Sequence, residues 1–72
     1  MISENDVIKA IVECANEKGE CDPQDVINYL RVGALDLLPI FRSLKRKGYI
    51  GEDLTFLYVT EETLKIYNLI TH

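Results

Sequence analysis

The sequence predicts a small, mainly helical domain that carries one β-hairpin. Three observations lead there. Apolar residues recur at three- and four-residue spacing through several separate stretches, which is the period of a half-buried helix. Residues suited to starting or stopping a helix stand at the ends of those stretches. Near the end of the chain, aromatic and β-branched residues gather in Leu54–Val59, just behind the turn-forming Gly51-Glu52-Asp53.

The first helix is expected over residues 4–18. Ser3 caps it, Asp6 stands in the capping-box place, and Ile2 and Val7 hold the two staple positions. Val7, Ile8, Ile11, Cys14 and Ala15 form its apolar face, and Gly19 supplies the stop. Glu20–Cys21 has room for one short strand. Asp22-Pro23 opens a second helix, residues 23–31, because aspartate caps and proline fits the first helical position. Val26, Ile27 and Leu30 are its stripe, and Gly33 follows as a turn residue.

A third helix is expected over 36–47, ending before Gly48. Leu37, Ile40, Phe41 and Leu44 share one face. Pro39 is destabilising inside a helix and tolerated in the first turn, so Asp36 is expected as the cap, with Pro39 at the third helical position. The hairpin spans 49–59, with Leu57 and Val59 facing inward and Leu54, Phe56 and Tyr58 facing outward. Two strands alone are barely stable, so the hairpin must lie on the helices. Thr60-Glu61-Glu62 caps a last helix over 61–71.

A chain of 72 residues is expected to form a single domain, 1–72. No apolar run approaches the ~20 residues that span a bilayer, and the first residues lack the basic start and apolar core of a signal peptide. A cytoplasmic protein with no membrane contact is expected. Cys14 and Cys21 form no C-x-x-C pair and make a poor metal set with the single His72, so reduced, mostly buried thiols and no metal or other cofactor are expected. Nothing supplies a paired base, a positioned histidine or a glycine-rich phosphate cradle, so no enzyme activity is expected.

Net charge is −4, which argues against nucleic acid. Its distribution argues the other way. Residues 31–47 carry five bases (Arg31, Arg42, Lys45, Arg46 and Lys47) against Asp36 alone, a balance of +4; the remainder carries three bases and eleven acids, or −8.

The order α-β-α-α-β-β-α resembles the winged-helix superfamily, as in small MarR-like and PadR-like bacterial regulators. Leu30 sits where the second helix of such domains ends in leucine. Ile40, Phe41 and Leu44 before Gly48-Tyr49-Ile50 look like the family's junction between third helix and wing. Val59-Thr60-Glu61-Glu62 looks like the "Leu-Thr-Glu-Glu" that leaves the wing. The resemblance covers about residues 4–70.

In DNA-binding members the third helix enters the major groove. The resemblance therefore implies a small regulator binding duplex DNA, with Arg42, Lys45 and Arg46 on phosphates and Arg31 assisting. Related proteins often dimerise through terminal helices. Ile66, Leu69 and Ile70 spread the apolar arc of the last helix well beyond one face, which suits a homodimer.

Two features point to a rival. The outward face of the third helix begins with Leu35, Leu38 and Pro39, none of which can donate the hydrogen bonds that read base edges. The wing bears Glu52-Asp53 where a DNA-binding wing carries Arg or Lys. The rival is a protein-interaction module that docks a partner through Leu35, Leu38 and Pro39, or through the last helix with Ile66, Leu69 and Ile70.

Overall fold

The computed structural model describes residues 2–66. Its elements run α1 (Glu4–Cys14), β1 (Glu20–Cys21), α2 (Pro23–Leu30), α3 (Ala34–Lys47), β2 (Ile50–Asp53), β3 (Phe56–Val59) and α4 (Glu61–Ile66). The molecule is mainly helical, with one three-stranded antiparallel sheet in the order β1-β3-β2. No helix among the described residues is long and apolar enough to cross a membrane. The expected positions Leu69 and Ile70 lie outside the described residues, as does the end near residue 71 expected for the last helix.

The start of α1 is as the sequence reads. Ser3 Oγ accepts from the Asp6 amide, and an Asp6 carboxylate oxygen accepts from the Ser3 amide. Ile2 packs against the core that Val7 enters. The end differs. The helix stops at Cys14, not near residue 18, and Ala15 is extended. Asn16 is the reason. Its side-chain oxygen accepts from the amides of Lys18 and Glu20, and its own amide donates to the Glu20 carbonyl, so a compact turn replaces the last helical turn.

That turn delivers β1 to the sheet. Glu20 pairs with Tyr58 and Cys21 with Leu57. The hairpin thereby gains a third strand, and β3 becomes central. The turn of the hairpin also differs from expectation. Gly51, Glu52 and Asp53 belong to β2, paired with Tyr58, Leu57 and Phe56, and the tip is Leu54-Thr55. Gly51 is not a turn glycine. The Tyr58 ring lies against it, where a Cβ would collide with the ring. This register also buries Ile50 and Val59 together as a cross-strand pair.

The core joins every layer: Val7, Ile8 and Ile11 of α1, Val26 of α2, Leu37, Phe41 and Leu44 of α3, and Ile50, Leu57 and Val59 of the sheet. Leu57 and Val59 face inward, while Phe56, Tyr58 and Leu54 are exposed, as alternation requires. Cys21 is buried and Cys14 half-buried, both as free thiols. Burial pushes the Cys21 thiol up to about 12 and raises Cys14 as well, with Asp25 and Glu13 adding to the effect at Cys14. Neither is poised as a nucleophile.

Two knots hold the C-terminal half of α3. Gly48 closes the helix at φ +79, a left-handed conformation that glycine adopts without penalty, and its amide and that of Tyr49 return to carbonyls of the last turn. Thr60 then ties the exit of the hairpin to this junction. Its Oγ1 lies 3.0 Å from the Gly48 carbonyl, 3.2 Å from that of Tyr49 and 2.7 Å from Oγ1 of buried Thr63. Thr60→Val keeps the shape and removes these bonds. It is expected to cost about 1–3 kcal/mol in urea denaturation, whereas Glu62→Ala on the solvent side of α4 leaves the midpoint unchanged.

The second knot joins α3 to α1. Glu4 accepts from Ser43 Oγ at 2.9 Å and from Lys47 Nζ at 2.8 Å. The Lys47 ammonium, then the Ser43 hydroxyl, hold its carboxyl below the ordinary 4.5. A depressed carboxylate stabilises the fold above its ordinary pKa, and the contribution fades as pH falls through the folded value. Acidification below about pH 4.5 should therefore lower the denaturation midpoint, and Glu4→Gln should flatten that slope. An equal slope in the variant would show that other carboxylates carry it.

Candidate interaction surface

The outward face of α3 is exposed along its length. Leu35 is 83% exposed and Leu38 47%, with Pro39, Arg42, Lys45 and Arg46 in the exposed class. They follow at three- and four-residue spacing, so they form one ridge. The opposite face carries Leu37, Phe41 and Leu44, all buried. The helix phase read from the sequence therefore holds, and the leucines of the ridge are surface residues.

The start of α3 is corrected. Its cap is Gly33, with no side-chain bond, and the helix begins at Ala34 instead of after Asp36. Asp36 lies within the first turn, its amide bonded to the Gly33 carbonyl at 3.0 Å. Pro39 is consequently inside the helix. It has no amide to give the Leu35 carbonyl, and its ring crowds that carbonyl. The early start follows from the short connection. Val32 packs on the core directly after α2, which leaves Gly33 at the helix entrance. Burial of Leu37, Phe41 and Leu44 outweighs the proline.

Two further positions are held against local preference. Arg31 caps α2 in the left-handed conformation at φ +57, where glycine is the usual residue. Leu54 is at φ +59 and 86% exposed at the hairpin tip. Each costs roughly 1–2 kcal/mol of backbone strain. Pro39, Arg31 and Leu54 thus share a property: all are exposed, all lower stability, and none repays this by packing in the core. Such outliers concentrate where a surface has another task. Sequence reasoning placed Leu54 in a strand and missed it, because the hairpin register decides which residue occupies the tip.

The charges are distributed unevenly. Lys45 Nζ lies 2.6 Å from Glu52 Oε1, and Lys47 is paired with Glu4. Both lysines are thus engaged by acids of the same molecule. Arg31, Arg42 and Arg46 form no ion pair with any described residue. The hairpin offers a ridge-bound ligand no cation, since Glu52 and Asp53 lie on β2 and Leu54-Thr55 form its tip. Ile66 of α4, expected at an interface, is 73% exposed.

A second feature lies beside this ridge. A groove of about 910 Å³ runs between the end of α1, the turn to β1, the hairpin and the start of α4. Val12, Tyr58 and Leu64 contribute apolar surface to it. Its charged lining is five acids, Glu17, Glu20, Glu52, Asp53 and Glu61, against one base, Lys18. The Lys45–Glu52 pair places the basic end of the α3 ridge at the edge of this groove.

No family model matches the chain, and neither a curated protein nor a solved structure matches it.

Proposed function

We propose that this chain is a winged-helix module whose third helix docks another protein. The carrying observation is the ridge of α3, where Leu35, Leu38 and Pro39 are all exposed on one face. A base-reading helix needs donors and acceptors at its leading positions. This helix presents hydrocarbon there, together with a proline that weakens the helix bearing it. Apolar residues grouped on an exposed face, flanked by arginines, have the composition of a protein interface. The partner surface is apolar with an acidic margin, complementary to Arg31, Arg42 and Arg46. The engaged state of Lys45 and Lys47 and the acidic hairpin support the same reading.

One observation favours duplex DNA as a second reading. Arg31, Arg42 and Arg46 are exposed and engaged by no described acid, so they are available to phosphates. An amide NMR titration with a generic duplex separates the two. Docking of protein alone predicts no shifts at low salt. DNA binding predicts shifts at Arg31, Arg42, Lys45 and Arg46 that vanish as salt rises, because counterions are released on binding. In parallel, Leu35→Asp should abolish capture of the partner while the circular dichroism spectrum stays native. Undiminished capture would remove α3 as the docking element.

A further inference from the structure

We propose that the partner of the α3 ridge is a second copy of this chain, whose acidic groove receives it. The inference rests on the docking role given to α3 above and adds the identity of the occupant.

Charge and shape both point to it. The ridge combines apolar Leu38 and Pro39 with Arg42 and Arg46. The groove combines an apolar floor, to which Val12, Tyr58 and Leu64 contribute, with an acidic lining. One surface is the complement of the other, and both are present in the same molecule. Residues 67–72 of the chain contain neither Lys nor Arg, so they do not match the acidic rim.

The two surfaces also adjoin. Lys45 of the ridge reaches Glu52 of the groove at 2.6 Å. Complementary patches on separate sides of a molecule generate rings or open filaments. Patches that share an edge allow a two-fold axis between them, so that each ridge enters the other copy's groove and the assembly closes as a dimer. The contact is made twice, with Lys45 and Glu52 of both copies near the axis. Both copies carry the same net charge of −4, so association of this kind rests on the opposite local potentials of ridge and groove and is weakened by salt.

The test uses the whole chain and two charge-reversed variants. Arg42→Glu with Arg46→Glu makes the ridge acidic. Glu17→Lys, Glu20→Lys and Asp53→Lys together turn five acids and one base into two acids and four bases, which makes the groove basic. Sedimentation velocity at about 0.01 M salt, where screening reaches only beyond about 30 Å, should show wild type as a dimer. At about 1 M salt it should dissociate. Each variant alone opposes like charges in both contacts, and its association should weaken by at least about a hundredfold. An equimolar mixture of the two variants restores both contacts at once and should dimerise again. Circular dichroism confirms that each variant is folded.

A wild type that is monomeric at both salts overturns this pairing. So does a wild-type dimer that both variants retain, since its contact then lies on another surface. Neither result touches the docking role of α3, which fails separately if Leu35→Asp leaves partner capture undiminished.

Discussion

Leu37→Ala is expected to lose about 3 kcal/mol and to leave much of the chain unfolded at 25 °C, while Leu35→Asp, two residues earlier on the same helix, stays folded. Leu37 is fully buried, in a core it shares with α1, α2 and the sheet. Truncation there removes the transfer energy of the lost carbons and opens a cavity that the short sheet and three short helices cannot all close upon. A domain of this size has only about 3–5 kcal/mol to lose. Leu35 is 83% exposed, so its replacement changes little in the folded state, within about 0.5 kcal/mol. Urea titrations followed by circular dichroism measure both. If Leu35→Asp also unfolds the protein, the ridge is part of the core and the docking surface does not exist.

Pro39→Ala should stabilise the protein. The substitution restores an amide that the Leu35 carbonyl lacks and removes the ring that crowds it, a gain of about 3 kcal/mol in a helix interior. Loss of proline's restriction of the unfolded chain takes back about 0.4–1 kcal/mol. A net gain of about 2 kcal/mol raises the melting midpoint by roughly 8–16 °C in a domain this small. The second part of the expectation concerns function. Pro39 sits in the middle of the exposed ridge, so the stabilised variant should associate more weakly than wild type in sedimentation. A variant that is more stable and associates equally well would mean the proline serves neither fold nor interface. Arg31→Gly offers a smaller test of the same idea, since it relieves the left-handed cap of α2 by about 1 kcal/mol.

Much of the fold was legible because its signals are local. Ser3 and Asp6 are three residues apart, Asp22 precedes Pro23, and Gly48 follows the last buried leucine of α3. Each acts on backbone groups within one turn, so spacing alone reveals it. The core and ridge faces of α3 were legible for the same reason: a helix of known phase assigns Leu37 and Leu38 to different sides. The hidden features all depend on contacts between distant segments. Asn16 ends α1 because its side chain can hold amides of a turn leading to β1. Gly51 reads as a turn residue until Tyr58 is placed across from it. Lys45 reads as a phosphate contact until Glu52 is brought beside it by the hairpin.

By itself the sequence determined the number and order of the elements, the core positions Val7, Ile8, Ile11, Val26, Leu37, Phe41, Leu44, Leu57 and Val59 but not Ala10 or Thr63, and the separation of a basic, apolar-faced helix from an acidic remainder. These follow from periodicity and capping, which act over a few residues. The tertiary structure decided where α3 begins, which residue forms the hairpin tip, which cations are engaged internally, and that an acidic groove adjoins the basic ridge. Those outcomes are set by burial of Leu37, Phe41 and Leu44 and by strand register, where the gain from packing exceeds any local preference of proline, arginine or leucine for another conformation.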